Sequence, residues 1–493
     1  MSIMKLKSGT DIRGTAIGEN TDLTDEAVMK ITAGFIHVMS EKTGLSPETM
    51  TVAVGHDSRL SADRIRNAVV SVLCHYGIKV LDCSLASTPA MFMTTVTAGC
   101  TASIQITASH HPFDKNGLKF FTKEGGFENE DIVNILTFAE TADITVIQDT
   151  DNSEKIDYMS EYAAILRKMI CDGINAENYE KPLEGLHIVT DAGNGAGGFY
   201  ATDVLGRLGA DITGSLYLDP DGRFPNHIPN PENAQAMESI SDAVISSGAD
   251  FGVIFDTDVD RSACVDSQGK EINRNALIAL AAAITLQDNP GGTIVTDSVT
   301  SDGLKIFIEK VLGGKHHRFR RGYKNVINEA LRLNDMGINA PLAMETSGHA
   351  ALRENYFLDD GAYLITKIII MLVKLRKEGR TIADLIADLP VPLEEKEIRY
   401  KILENNFREY GQKIIDDFSV YAADREGWTI ADDNHEGLRV SLDKNHGDGW
   451  MLLRLSVHDP ILPFNAESNS EGGVQKIISE FNSFICNYDK IEC

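Results

Sequence analysis

The sequence is short of positive charge, of paired cysteines and of long apolar runs. Among 493 residues there are 46 Lys or Arg against 73 Asp or Glu, a formal net charge of −27. Such a surface repels polyanions, which argues against a general nucleic-acid or anionic-membrane partner. The longest apolar stretches, Ala276–Leu286 and Ile368–Val373, fall short of the ~20 residues that a membrane span requires. The opening MSIMKLKSGTDIRG has no apolar segment of the secretory type, so a cytoplasmic location is expected. The seven cysteines (74, 83, 100, 171, 264, 486 and 493) are odd in number, scattered and free of CxxC pairs. Neither a disulfide framework nor a zinc site is suggested, and a reducing compartment fits.

What is present describes a soluble globular protein, 43% hydrophobic and 24% charged, long enough for roughly three or four domains. Val28, Ile31, Phe35, Val38 and Met39 recur at helical spacing behind Thr24, an N-cap followed by Asp25 and Glu26. Thr51–Val54 reads as a buried strand ending at Asp57, with Ser61 capping the next helix and a further strand at 78–81. Strand and helix alternate, which predicts βαβ units and a mainly parallel sheet. The strand–Asp–loop device recurs at His187–Asp191 and Thr293–Asp297, predicting three related α/β domains. Boundaries are expected in 150–180, at the turn Ser267–Lys270, and at Pro390 and Pro392. The tail, with strands at 396–402, 438–442 and 451–457 and a helix near 405–418, predicts a smaller C-terminal α+β domain.

Chemistry-bearing residues gather in a few stretches. Thr107-Ala108-Ser109-His110-His111-Pro112 follows an apolar strand, and Asn116-Gly117, a tight-turn dipeptide, would bring Lys119 back towards Ser109. A serine on a strand edge among cations suits a phosphoryl-carrying nucleophile; the plainer alternative is a polar turn. Asp256, Asp258 and Asp260 alternate after the strand 251–255, which would place them on one side of an extended segment. Oxygen ligands alone suit a hard ion such as Mg²⁺. The EF-hand spacing fails, with Arg261 at the sixth position and Ser267 at the twelfth; a solvated acidic loop is the remaining alternative. Lys315–Lys324 is a basic island that either meets an anion or balances nearby acids. Glu345-Thr346-Ser347-Gly348-His349 suits hydrogen bonding to a polyol, and Arg454–Pro460 could grip an anion.

Taken in order, these stretches resemble the α-D-phosphohexomutase family of phosphoglucomutases, phosphomannomutases and phosphoglucosamine mutases. TASHHP resembles its catalytic-serine motif, DTDVDR its metal loop and ETSGH its sugar loop, with GTDIRG at 9–14 and DGRFPNH at 221–227 as further matches. The last loop departs: RLSVHDP stands where RxSGTEP is usual, so Val457, His458 and Asp459 replace Gly, Thr and Glu. The resemblance implies mixed sheets in three α/β domains around a cleft plus the C-terminal domain. The expected spans are 1–165, 166–269, 270–389 and 390–493, each contributing one loop.

It further implies interconversion of hexose 1-phosphate and hexose 6-phosphate, of glucose or mannose, through phosphorylated Ser109 and a hexose 1,6-bisphosphate. Ser109, Asp256, Asp258 and Asp260 would hold Mg²⁺. Arg13 and Arg261 would steady the phosphoryl group, and Lys119 with His110 would move the proton. Lys324, Glu345, Ser347, His349, Arg454, Ser456 and His458 would bind substrate. Sugar phosphates are the expected partners of a monomer or homodimer. A phosphoglucosamine mutase, an inactive sugar-phosphate binder and a metal-dependent phosphatase are the alternatives.

Overall fold

The computed structural model describes residues 2–145, 150–456 and 459–492. The chain gathers into two compact units, 1–274 with 347–383, and 275–346 with 384–493.

In the first unit an eight-stranded sheet runs in the order Lys7–Ser8, Asp11–Thr15, Lys115–Thr122, Ala102–Ile106, Thr51–His56, Lys79–Leu85, Glu154–Lys155, with Gly125–Gly126 pairing off Lys115–Thr122. Thr51–His56 is parallel to both of its neighbours, whereas Lys115–Thr122 is antiparallel to all three of its own. The sheet is therefore mixed rather than mainly parallel. The helix Asp25–Thr43 begins as its sequence dictates, Thr24 accepting from the Ala27 N–H, and ends at Gly44 with φ 70°. Its apolar face buries Val28, Ile31 and Phe35 in the same core as Leu118 and Phe120, and Phe35 stacks on Phe120 at 5.1 Å. Successive strand residues face opposite sides, so Lys119, between those two core residues, is sent away from the core.

Asn116-Gly117 makes no turn. Both residues lie inside the strand Lys115–Thr122, where Gly117 pairs with Arg13. Glycine is needed there for close approach: a Cβ would stand 2.2 Å from the Ile12 carbonyl oxygen and 2.8 Å from that of Thr107. Ser61 precedes the helix Ala62–His75 without capping it through its side chain, and instead accepts from the Asn116 amide at 2.9 Å.

A second sheet in this unit pairs Ile188–Asp191 in parallel with Phe251–Phe255, then Ser262–Asp266 and Glu271–Ile272 antiparallel. The turn Ser267–Lys270 joins those last two strands. Residues 347–383 contribute the hairpin Ala350–Leu352/Leu358–Asp359 and the helix Gly361–Lys377. That helix packs on Tyr158–Ile174, and the Tyr162 hydroxyl donates to the Asp360 carboxylate at 2.7 Å.

In the second unit Thr293–Asp297 lies parallel to Lys315–Phe319 and Leu342–Met344. The helix Asn275–Asp288 buries Leu277 to Leu286 throughout, so that apolar run is core. The C-terminal region is an antiparallel sheet: Trp428–Ile430, Leu438–Leu442, Gly449–Leu453, Ile461–Ser468, Glu394–Ile402, Ile491–Glu492. The helices Phe407–Ala423 and Gly473–Ile485 share its core. Among the described residues no helix is long and apolar enough to cross a membrane.

Candidate active site

Ser109 stands just past the strand Ala102–Ile106 with φ 49°, a left-handed conformation that costs a non-glycine residue about 1 kcal/mol or more. A buried frame holds it there. The Arg59 guanidinium donates to Asp57 at 3.2 Å and to the carbonyls of Pro112 (2.6 Å), Lys115 (2.9 Å), His111 (2.6 Å) and Ser109. Asp57 also accepts from Thr107 Oγ1 at 2.7 Å, and that oxygen accepts from the Ser109 N–H at 2.9 Å. One arginine thus gathers four carbonyls of the serine loop, which its flat, multi-donor head can do and an ammonium cannot. Sequence reasoning missed this role. Asp57-Ser58-Arg59 was visible as a strand end, but nothing in its spacing points to a loop about fifty residues away.

The three aspartates converge, though not by strand alternation. The strand ends at Phe255, and 256–260 form a turn with Val259 at φ 70°. The turn brings the carboxylates of Asp256, Asp258 and Asp260 within 4.8 Å of one another, all fully buried. Thr88, at the start of the helix Thr88–Thr97, anchors the loop: its N–H donates to the Asp258 carbonyl at 2.8 Å and its hydroxyl to Asp258 Oδ2. Ser109 Oγ donates to Asp256 Oδ2 at 2.8 Å. The serine and the acids, 147 residues apart in the chain, share one site.

The donor set fits a hard divalent cation. Asp258 Oδ1 and Asp260 Oδ1 are buried without a hydrogen-bond partner. Burial, then the charges of Asp260 and Asp258, push the Asp256 carboxyl well above its usual range. Burial also penalises ionised Asp260, but the nearby Lys119 and Arg261 cations outweigh it and hold that group ionised. Oxygen ligands crowded this closely call for positive charge.

Part of that charge comes from the protein. Lys119 Nζ bridges Asp258 Oδ2 (3.1 Å) and Asp260 Oδ2 (2.5 Å). Arg261 donates from its backbone to Asp256 Oδ1 at 3.2 Å, from Nε to His349 Nε2 at 2.9 Å and from Nη2 to His110 Nδ1 at 2.7 Å. His110 Nδ1 lies 3.4 Å from Ser109 Oγ. With that nitrogen engaged by a guanidinium, and with burial first and the Arg261 charge next driving its pKa far down, His110 is a neutral acceptor. Burial and the Arg13 charge likewise hold His111 down at about 4. Arg13 sits on its strand with Nη2 on Asp11 at 2.8 Å and Nε buried without a partner.

Both ring nitrogens of His349, expected at the substrate, meet side chains of the same unit. Its Nε2 accepts from Arg261 and its Nδ1 pairs with Asp359. Ser347 is buried in the same unit. Gly348, at φ 97° and with no room for a Cβ against the Ser262 carbonyl (2.7 Å), sets the path of the loop between Ser347 and His349.

The other expected substrate residues lie in the second unit. Glu345 accepts from the Gly322 N–H at 2.6 Å, just before the helix Tyr323–Asp335 whose first turn carries Lys324. Arg454 has a buried Nε without a hydrogen-bond partner, and burial lowers its pKa. Ser456 Oγ accepts from the Asp459 N–H at 3.2 Å. His458 lies outside the described residues. Part of the basic island is internally balanced: Arg318 pairs with Asp302 and Asp433, and His317 with Glu329.

Comparison with known proteins accords with this geometry. Residues 4–143, 161–269 and 273–392 match, in turn, alpha/beta/alpha domains I, II and III of phosphoglucomutase/phosphomannomutase. A phosphoglucomutase/phosphomannomutase of Thermococcus kodakarensis is 30% identical over 470 residues, covering 95% of this chain and 95% of its own. A phosphomannomutase/phosphoglucomutase of Pseudomonas putida is 29% identical over 434 residues, 88% of this chain and 86% of its own. A solved phosphoglucomutase/phosphomannomutase family protein of Burkholderia thailandensis superposes with TM-score 0.79 at 24% identity, covering 99% of this chain and 98% of its own. With the serine loop, the acidic turn and these matches in one order along the sequence, the chain belongs to the phosphoglucomutase/phosphomannomutase family.

Proposed function

We propose that this protein is a phosphohexomutase that interconverts the 1-phosphate and 6-phosphate of glucose, mannose or both. The observation that carries the reading is the 2.8 Å contact between Ser109 Oγ and Asp256 in a buried cluster of three carboxylates. A nucleophile placed against such a cluster is suited to taking and giving a phosphoryl group.

Ser109, Asp256, Asp258 and Asp260 would hold Mg²⁺, which when bound supplies positive charge to phosphoryl oxygens. The chain's own residues do the rest. Phosphorylated Ser109 gives up its phosphoryl group as the P–Oγ bond breaks and a P–O bond forms to the free hydroxyl of a hexose 1-phosphate. The proton lost by that hydroxyl is balanced by the one Ser109 Oγ gains, with Lys119 as the group that handles it. Arg261 steadies charge on the transferring group and His110 orients it, while Arg13 adds a cation. The hexose 1,6-bisphosphate then returns its other phosphate to Ser109. Glu345, Ser347 and Lys324 are read as sugar and phosphate contacts, and Arg454 with Ser456 as the grip on the phosphate not in transfer. Domain spans of 1–165, 166–269, 270–389 and 390–493 accompany this reading.

A coupled assay with glucose, mannose and glucosamine 1-phosphates tests it. Turnover of glucose or mannose substrate is expected, and Ser109→Ala should abolish it with the melting temperature kept. Turnover of glucosamine 1-phosphate alone would shift the reading to a phosphoglucosamine mutase. Inorganic phosphate released faster than isomer would make the protein a phosphatase.

A further inference from the structure

A line of contacts runs inward from the serine, and its far end is a residue with no part in the chemistry above. Asp359 closes the short hairpin Ala350–Leu352/Leu358–Asp359 and is buried. Its Oδ1 accepts from the Ala350 N–H at 3.0 Å, which fixes the carboxylate plane. Its Oδ2 meets His349 Nδ1. His349 Nε2 accepts from Arg261 Nε at 2.9 Å, Arg261 Nη2 reaches His110 Nδ1 at 2.7 Å, and that nitrogen is 3.4 Å from Ser109 Oγ.

An arginine Nε is always a donor. His349 can accept from it only if Nε2 carries no hydrogen, so the ring proton must sit on Nδ1. The group facing Nδ1 is an acceptor, the Asp359 carboxylate. We propose that Asp359 is a positioning residue that locks His349 in its Nδ1–H tautomer and so fixes the Arg261 guanidinium beside Ser109. The inference rests on the mutase reading above and adds to it a role for a residue two contacts away from Arg261. The carboxylates near Arg261 hold it less closely, with Nη1 3.6 Å from Glu232 and Nε 3.9 Å from Asp256, so the orientation of the guanidinium is set by His349 on Nε and His110 on Nη2.

Asp359→Asn is nearly isosteric and keeps an oxygen for the Ala350 N–H. Its amide now donates to His349 Nδ1, moving the ring proton to Nε2, where it opposes the Arg261 Nε–H. The expected result is a kcat about 10- to 100-fold lower, with KM changed less than about twofold and the thermal midpoint close to wild type. His349→Gln supplies a carbonyl to Arg261 that needs no tautomer. In that background, adding Asp359→Asn should change kcat by less than about twofold. Nitrogen NMR of histidine-labelled protein, with the His349 signal assigned through His349→Gln, reads the tautomer directly and without turnover. It should show protonated Nδ1 in the wild type and protonated Nε2 in Asp359→Asn.

Wild-type kcat in Asp359→Asn, an equal loss with and without His349, or protonated Nε2 in the wild type would each overturn the proposal. A wild-type protein inactive on every hexose 1-phosphate yet showing the Nδ1–H signal would count against the mutase reading alone.

Discussion

At Ser109 a strained backbone and a hydroxyl set against the carboxylate cluster coincide, and the strain is sustained by Arg59 rather than by the loop itself. Replacing that arginine tests the idea. Arg59→Lys keeps the charge but leaves several buried carbonyls without a donor, each worth about 1–3 kcal/mol before relaxation. The variant should lose about 2–4 kcal/mol in urea unfolding and be phosphorylated on Ser109 more slowly than the wild type. An unchanged unfolding midpoint would show that the loop carbonyls do not depend on Arg59. TASHHP pointed to the serine because its residue types and order are rare together. The arginine stayed hidden because hydrogen bonds to carbonyls draw on the backbone, which has no letter in a sequence.

Among elements, the C-terminal sheet carries a titratable cross-strand pair. Trp450 and Glu467 face each other in register, and the indole N–H donates to the carboxylate at 2.8 Å while Arg439 lies 3.5 Å over the Trp450 ring. Burial pushes the Glu467 carboxyl up to about 7, against the opposing pull of Trp450 and Arg439. The folded chain keeps a proton there that the unfolded chain releases near 4.5. The protonated carboxyl therefore contributes its stability fully at low pH and loses it as pH rises through about 7. Glu467→Gln should match the wild type near pH 4.5 and melt higher at pH 8, with an advantage on the order of 1 kcal/mol. Equal melting at both pH values would place the titration elsewhere. The strands themselves were readable from alternation, since 438–442 came out as expected and the strand expected at 451–457 lies at Gly449–Leu453. The pairing of residue 450 with residue 467 was not, because register is a relation between strands.

For the whole molecule, a cation held by the acidic turn would couple folding to binding. Binding to the folded chain alone stabilises by RT ln(1 + [L]/Kd), about 2.7 kcal/mol at a hundredfold excess over Kd. Adding MgCl₂ should therefore raise the thermal midpoint and EDTA reverse it, while Asp258→Ala removes the shift. A midpoint indifferent to Mg²⁺ in the wild type would reject the ligand assignment. The net charge of −27 predicts a further, nonspecific rise with salt as self-repulsion is screened. That rise should survive in Asp258→Ala, which separates the two effects.

The order of motifs, the alternation of strand and helix, and the identities of Ser109, the three aspartates, Lys119 and Arg261 were all determined by the sequence, because residue type and local period are one-dimensional properties. Tertiary structure alone decided that the aspartates meet through a turn with Val259 at positive φ, that Asn116-Gly117 runs straight through a strand, and that His349 faces Asp359 and Arg261. Each of those depends on which distant backbone or side chain arrives beside it, and that follows from packing, not from spacing along the chain.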